Sequence, residues 1–147
     1  MKTLFTIGFT KKTAEEFFTR LQYNRVSRVI DVRLFNRTQL SGFSKFPDIR
    51  YFLKTIADID YIHDKELAPS PELLEMYKAH RINWDRYVEV FSDLMIERRT
   101  IEHLKMHYPN FDRCCLLCSE PSAEFCHRRL VAELFKDTFE YCEIIHL

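Results

Sequence analysis

Residues 114–136 read CCLLCSEPSAEFCHRRLVAELFK: an apolar run, a polar loop and an amphipathic segment in succession. The run at 114–117 has the length and apolarity of a buried strand. The apolar spacing within residues 122–136 predicts a helix. A buried strand that passes directly into a helix is the repeating unit of α/β proteins with parallel sheets. This stretch therefore predicts an α/β fold.

The same alternation of strands and helices continues on both sides of this stretch. Thr13 followed by Glu16 has the spacing of a capping box and predicts a helix start. We find no internal repeat and no second domain, so residues 1–147 are expected to form one three-layer, Rossmann-like α/β domain with about five mostly parallel strands. The remaining strands are expected at 3–8, 29–32, 61–63 and 141–145, and the remaining helices at 13–23, 48–56, 72–79 and 84–107.

Composition and charge exclude several classes of protein. The chain has 147 residues, of which 46% are hydrophobic, and it carries 22 Lys and Arg against 22 Asp and Glu. A net charge of zero argues against an overall electrostatic attraction to nucleic acid or anionic lipid. No apolar run approaches the about 18 residues of a membrane span. A local cluster of basic residues in the loop over 33–50 keeps nucleic-acid or protein binding open as an alternative function.

The cysteines and the N-terminal sequence indicate a reducing compartment. Five cysteines is an odd count, and the opening MKTLFTIGFTKKT lacks the long apolar stretch of a signal peptide. Thiols stay reduced in the cytoplasm. We therefore expect a cytoplasmic protein with free cysteines.

The loop after the predicted strand at 114–117 contains the strongest candidates for chemistry. Cys118 follows that strand, and ligands of open α/β sheets bind at the carboxyl ends of the strands. The positive end of the next helix favours the thiolate form of a cysteine at this point. Glu120 is a candidate general acid or base. Arg128, near the helix start, is a candidate for binding a phosphate or carboxylate.

Cys126 and His127 are expected to face the sheet, because helical spacing aligns them with apolar residues on the same helix. Each also has a purely structural interpretation. Cys126 is equally well explained as a small buried hydrophobic residue. His127 is equally well explained as a core histidine bonded to a backbone carbonyl.

Several familiar motifs fail on spacing. Cys115 and Cys118 have CxxC spacing, but on a strand their side chains point to opposite faces, which argues against a thioredoxin-type dithiol. Glu124 stands where a phosphatase-like loop needs arginine, and no glycine lies between 118 and 128. Cys118, Cys126 and His127 are chemically suitable zinc ligands, but adjacent residues rarely bind one ion and no fourth ligand is near in sequence. We therefore expect no metal site and no cofactor.

A second candidate cluster begins at Asp31 and Arg33, which end the strand at 29–32 on the same face. They either form a structural ion pair or orient a substrate in a crevice at the carboxyl ends of the strands. The crevice interpretation predicts that they converge with Cys118 and Glu120. Thr10, after the first strand, would join the same rim, and Asn36 and Gln39 follow in the adjoining loop.

Taken together, these motifs resemble the family named DUF488, a domain of unknown function. The resemblance rests on Thr6-Ile7-Gly8, Asp31-Val32-Arg33, and Cys118-Ser119-Glu120 followed by Cys126-His127-Arg128. It extends through residues 39–43, 67–69, Trp84 and the final residues 144–147. The resemblance implies a bacterial or archaeal α/β domain and supplies no activity. Leu67-Ala68-Pro69 stands where many relatives have Leu-Gly-Gly, which indicates a subgroup.

From these residues we expect an intracellular, cysteine-dependent hydrolase or transferase that binds a small anionic or nucleotide-like substrate. Cys118 would be its nucleophile or redox thiol. A third interpretation, a redox sensor, requires Cys118 and Cys126 to lie close enough to bridge. The expected catalytic residues are Cys118, Glu120 and Asp31, and the expected substrate-binding residues are Arg33, Thr10, Asn36, Gln39, His127 and Arg128.

Overall fold

The computed structural model describes residues 1–37 and 41–147. Within them the five expected strands form one sheet in the order β3-β2-β4-β1-β5. Every neighbouring pair is parallel. The fold is therefore the expected α/β architecture, with a fully parallel sheet. The strands are β1 (Lys2–Gly8), β2 (Arg28–Asp31), β3 (Asp60–His63), β4 (Cys114–Cys118) and β5 (Cys142–His146).

Helices cover both faces of the sheet and make the fold three-layered. One apolar core, which includes Phe17, Leu21 and Leu53, lies between the sheet and the first two helices. The other, which includes Phe91 and Phe135, lies under the remaining four. The six α-helices of the described residues are α1 (Ala14–Tyr23), α2 (Asp48–Ala57), α3 (Pro71–Lys78), α4 (Trp84–Glu97), α5 (Thr100–His107) and α6 (His127–Thr138).

Local sequence accounts for where several helices begin. At α1 the Thr13 hydroxyl accepts from the Glu16 N–H, and the Glu16 carboxylate accepts from the Thr13 N–H, so the predicted capping box is formed. Ser70 caps α3 ahead of Pro71, and Asn83 caps α4. Each cap satisfies N–H groups that have no partner inside the helix.

The single helix expected over 84–107 is instead two helices. Arg99 has a left-handed backbone with φ of 56° and separates α4 from α5. The Arg98 guanidinium donates to the carbonyls of Glu66 and Ala68 at 3.0 and 2.6 Å, and the Thr100 hydroxyl donates to the Met95 carbonyl. These side-chain contacts with backbone carbonyls fix the break, and Arg98 reaches carbonyls far away in sequence.

The helix expected over 122–136 begins later, at His127. The Ser122 hydroxyl accepts from the Glu124 N–H at 3.2 Å. Such a local bond offers the backbone an alternative to the helix, which is why residues 119–126 form a loop. Cys126 is the N-cap residue, with an extended backbone.

The register brings the carboxyl ends of the central strands side by side. Gly8 of β1 pairs with Cys118 of β4, and Asp31 of β2 pairs with Leu117. Cys118 packs with the core under α3–α6, whereas Cys115 packs with the core under α1 and α2, as the strand period predicts. Within the described residues no helix combines the length and apolarity needed to cross a membrane.

Candidate functional site

The loop over residues 119–126 is fastened to the end of β1. The Arg128 guanidinium donates to the Glu120 carbonyl at 2.6 Å and to the Thr6 hydroxyl at 3.3 Å. The Thr10 N–H donates to the Ser119 carbonyl at 3.1 Å. A Cβ atom on Gly8 would lie 1.6 Å from the Glu120 carbonyl oxygen, so only glycine permits this approach. These contacts fix the backbone on which Cys118 stands.

A thiol and an imidazole meet at the first turn of α6. Cys118 Sγ lies 3.6 Å from Nδ1 of His127. The other ring nitrogen, Nε2, lies 2.7 Å from the Val32 carbonyl oxygen. Since a carbonyl oxygen only accepts, Nε2 carries a hydrogen, and Nδ1 is the acceptor whenever the ring is neutral. Nδ1 is the ring nitrogen nearer to the Cys118 sulfur, at 3.6 Å against 4.0 Å for Nε2.

Cys126 adds a second thiol to the pair. The ligand atoms of Cys118, Cys126 and His127 all lie within 4.8 Å of one another, and all three residues are buried. The hydrogen bond from Cys126 lowers the pKa of the Cys118 thiol more than burial raises it, with help from the Ser119 backbone and the Arg128 charge. The same hydrogen bond, together with burial, raises the pKa of Cys126 well above its ordinary value. Cys126 is therefore the hydrogen-bond donor of the pair, and Cys118 is the sulfur on which negative charge is favoured.

The other three cysteines have the opposite electrostatics. All five are free thiols. Burial raises the pKa of Cys114 to about 11, and it raises the pKa values of Cys115 and Cys142 as well. Cys118 is thus the one cysteine whose pKa is lowered.

Asp31 and Arg33 form a buried bidentate ion pair beside this group. The Arg33 Nε and Nη2 donate to the two Asp31 carboxylate oxygens at 2.8 and 2.7 Å. The Tyr61 hydroxyl donates to Asp31 Oδ2 at 2.5 Å. Burial alone would lower the pKa of Arg33, but the hydrogen bond and charge of Asp31 outweigh it and raise the pKa. The structural ion pair considered from the sequence is therefore formed.

Arg33 nevertheless keeps one donor uncommitted. Its side chain is 2% exposed, and Nη1 has no hydrogen-bond partner among residues 1–37 and 41–147. A buried donor without a partner is costly, so such atoms are rare in native structures. The Arg33 side chain also borders the cavity next to Cys118. The position is suited to an acceptor oxygen supplied by a ligand.

A cavity of about 240 Å³ opens beside the sulfur. One side, which we call the aromatic wall, consists of Tyr77, Trp84, Tyr87 and Phe125. The Trp84 ring stacks on Tyr87, with centroids 5.0 Å apart, and meets the edge of Phe125. The cavity is also lined by polar groups, which are Arg33, Lys78, Cys118, Ser119, Glu120, Cys126 and His127. Rings facing a thiol, an imidazole and a guanidinium suit a flat ligand with a polar end.

The structure brings some of the residues expected from the sequence together and leaves others apart. Cys118, Glu120, Arg33 and His127 line the cavity, and Asp31 lies directly behind Arg33. The remaining expected residues have other surroundings. The Arg128 guanidinium binds the Glu120 carbonyl, and Thr10 is exposed with its N–H bonded to the Ser119 carbonyl. Asn36 donates to the Tyr61 hydroxyl. Gln39 lies outside the described residues.

Sequence reasoning missed the aromatic wall and the Cys118–His127 contact. Trp84 and Tyr87 lie on α4, far from Cys118 in sequence, and an aromatic residue at helical spacing is typical of a core. The available signal was Trp84 at the start of a helix, next to its capping Asn83. For His127, the sequence predicted an inward direction but not the sulfur it faces.

Comparison with known proteins identifies one family. The family model described as a domain of unknown function, DUF488, matches residues 13–135. No curated protein and no solved structure matches the chain. The matched range contains β2, β4 and every residue that lines the cavity.

Proposed function

The chain belongs to the DUF488 family, a domain of unknown function, and we propose that it is an enzyme that uses Cys118 as a nucleophile on a small anionic substrate. The proposal rests on one observation: Cys118 Sγ lies beside the cavity, 3.6 Å from an imidazole nitrogen whose ring is oriented by a backbone carbonyl. A nucleophile, a base and a group that orients the base are the parts of a cysteine-dependent hydrolase or transferase.

The chemistry would proceed by covalent catalysis. The Cys118 thiol gives its proton to His127 Nδ1, and the resulting thiolate attacks an electrophilic atom of the substrate and forms a bond to sulfur. The bond to the leaving group breaks with its electron pair, and the leaving group takes a proton from His127 or Glu120. Water or a second substrate then cleaves the bond to sulfur and restores the thiol. Water as acceptor makes the protein a hydrolase, and any other acceptor makes it a transferase.

The substrate class follows from the surroundings of the sulfur. Arg33 offers a buried donor without a partner among the described residues, which favours a phosphate or carboxylate oxygen. The Trp84 and Tyr87 rings favour a flat group at the other end of the ligand. A nucleotide-like molecule combines both features, and a cavity of about 240 Å³ holds only a small one.

Alkylation of the metal-free protein by iodoacetamide at neutral pH, followed by peptide mass spectrometry, tests the nucleophile. We expect Cys118 to react faster than Cys114, Cys115 or Cys142, because its pKa is lowered while theirs are raised and the thiolate fraction sets the rate. His127→Ala should slow the reaction of Cys118. Cys142→Ser, a cysteine substitution away from the cavity, is the matched control and should leave the rate unchanged.

Two results would contradict the proposal. One is a Cys118 that stays unmodified while Cys142 reacts. The other is full turnover of an identified substrate by Cys118→Ser, since a serine hydroxyl does not replace a thiolate in this setting.

A second candidate function, nucleic-acid binding by basic residues within the stretch 33–50, is favoured by one surface feature. The guanidinium groups of Arg37 and Arg50 lie 4.7 and 5.4 Å from the ring centre of Phe46, and both arginines are exposed. Basic groups around an aromatic ring suit a single strand. Filter binding to an oligonucleotide at two salt concentrations tests this function. Affinity should fall steeply with salt and weaken in Arg37→Ala, and absent binding would exclude it.

A further inference from the structure

We propose that Cys118, Cys126 and His127 bind one zinc ion, with a fourth coordination position that faces the cavity. These residues supply two sulfurs and one imidazole nitrogen, the donor types that zinc selects in proteins. All three ligand atoms lie within 4.8 Å of one another. The inference concerns the same sulfur as the proposed function but stands independently of it.

The spacing of one donor pair is close to that of tetrahedral coordination. A zinc–sulfur bond of about 2.3 Å and a zinc–nitrogen bond of about 2.0 Å, at the tetrahedral angle, hold the two donor atoms about 3.5 Å apart. The distance from Cys118 Sγ to His127 Nδ1 is 3.6 Å. The pair therefore needs little movement to accept the ion.

The environment of His127 is that of a metal ligand. Metal-bound histidines typically donate their second ring N–H to a carboxylate or a backbone carbonyl, which fixes the ring and raises the basicity of the ligating nitrogen. Here Nε2 lies 2.7 Å from the Val32 carbonyl oxygen, so Nδ1 is the nitrogen left to bind the ion, and it lies 3.6 Å from Cys118 Sγ.

The charge balance suits a buried ion. Two thiolates and one neutral imidazole cancel the two positive charges of zinc, so the loaded site adds no net charge to the interior. The adjacent ion pair of Asp31 with Arg33 is also neutral. The buried Arg128 guanidinium donates to the Glu120 carbonyl and the Thr6 hydroxyl.

Two arguments from the sequence stand against zinc, the adjacency of Cys126 and His127 and the lack of a nearby fourth ligand, and the structure answers both. Cys126 and His127 are adjacent, but the backbone changes from extended at Cys126 to helical at His127, and their ligand atoms still converge. The fourth ligand need not come from the chain, because three protein ligands and one water form the layout of catalytic zinc sites. The cavity of about 240 Å³ borders all three ligands and provides room for that water or for a substrate oxygen.

A bound ion would mask the proposed nucleophile. The electron pair with which Cys118 Sγ attacks a substrate is the pair that it gives to the metal. Zinc-loaded protein should therefore resist alkylation at Cys118, and a chelator should restore the reaction. Zinc is thus expected to hold the thiol in an unreactive form, or to direct the site toward chemistry at the fourth ligand.

Titration of the metal-free protein with cobalt(II), a spectroscopic substitute for zinc, tests the site. We expect one equivalent to bind, with the intense absorption of tetrahedral cobalt and a thiolate charge-transfer band, and zinc should displace it. Cys118→Ser and Cys126→Ser should each bind about tenfold more weakly or worse, because a hydroxyl is a poor ligand for a soft site. Cys142→Ser is the matched control and should bind like the parent protein. Circular dichroism verifies that each variant is folded.

The inference is overturned if cobalt and zinc do not bind stoichiometrically, or if folded Cys126→Ser binds like the parent protein. The alkylation experiment separates this result from the proposed function. Reactive Cys118 without metal binding removes the zinc site and leaves the nucleophile. Stoichiometric binding with an unreactive thiol in metal-free protein removes the nucleophile and leaves the zinc site.

Discussion

At the scale of single residues, the site depends on Gly8. This glycine ends β1, and the Glu120 carbonyl lies where its side chain would be. The same carbonyl accepts from Arg128, so the loop that carries Cys118 is held by a close backbone contact and a buried guanidinium together. A residue without a side chain thus helps to set the position of the loop that follows Cys118.

Gly8→Ala is expected to destabilise the protein by about 1–3 kcal/mol or more, because the added methyl group overlaps a backbone oxygen and forces the loop to move. Chemical denaturation measures the loss, and alkylation of the folded variant should show altered reactivity at Cys118. Gly42→Ala is the matched control: a Cβ atom there meets nothing within 4 Å, and the change should stay within about 0.5 kcal/mol. Equal stability of the two variants would contradict the close approach.

At the scale of elements, side chains that bond to backbone groups decide where helices begin and end. α1 begins at a capping box of Thr13 and Glu16, which the sequence predicts because all its parts lie within four residues. The break between α4 and α5 depends on Arg98, which reaches the carbonyls of Glu66 and Ala68. Contacts over that separation leave no local pattern, so the break was not predicted.

Thr13→Ala should reduce the free energy of unfolding by about 1 kcal/mol, because it removes the hydroxyl that accepts from the Glu16 N–H. Thermal or urea denaturation measures the effect. Thr19→Ala, at an exposed position within the same helix, is the matched control and should be neutral or slightly stabilising. If both substitutions cost the same, the capping box contributes nothing.

The candidate site divides in the same way between local and distant information. Cys118, Glu120 and His127 were predicted because one strand, one loop and one helix start carry them all. Arg33 was predicted because it follows the end of a buried strand, where ligands of α/β sheets bind, and the pairing of β2 with β4 places that end beside Cys118. The aromatic wall was not predicted, since it depends on how α3 and α4 pack against the loop over 119–126. The same packing decides which surface of the cavity faces the sulfur.

At the scale of the whole molecule, two apolar cores on either side of a parallel sheet bury several tyrosines. Desolvation raises the pKa values of Tyr61, Tyr87 and Tyr108. The hydroxyls of Tyr61 and Tyr108 donate to buried carboxylates, those of Asp31 and Asp64. On both faces of the sheet, the folded protein therefore favours the neutral phenol over the phenolate.

The protein should lose stability in alkaline solution. The pKa of each buried tyrosine is higher in the folded protein than in the unfolded chain, where it is about 10. The neutral phenol therefore contributes its full stabilisation below about pH 10, and this stabilisation is lost as the pH rises beyond that value. Each such tyrosine then removes up to about 1.4 kcal/mol per pH unit. Melting temperatures and tyrosinate absorbance across this range measure the effect. Tyr87→Phe keeps the ring and should make the decline shallower, and an unchanged slope would contradict the assignment.

The two sides of the cavity come from different parts of the chain. The sulfur, the imidazole and the guanidinium belong to the sheet edge and the start of α6, whereas Tyr77, Trp84 and Tyr87 belong to helices that precede β4. Substitutions in residues 69–87 can therefore reshape the space available to a ligand without displacing Cys118. In the proposed enzyme, selectivity and reactivity would therefore diversify separately, and a protein engineer could retarget the pocket by exchanging one helical segment while retaining Cys118.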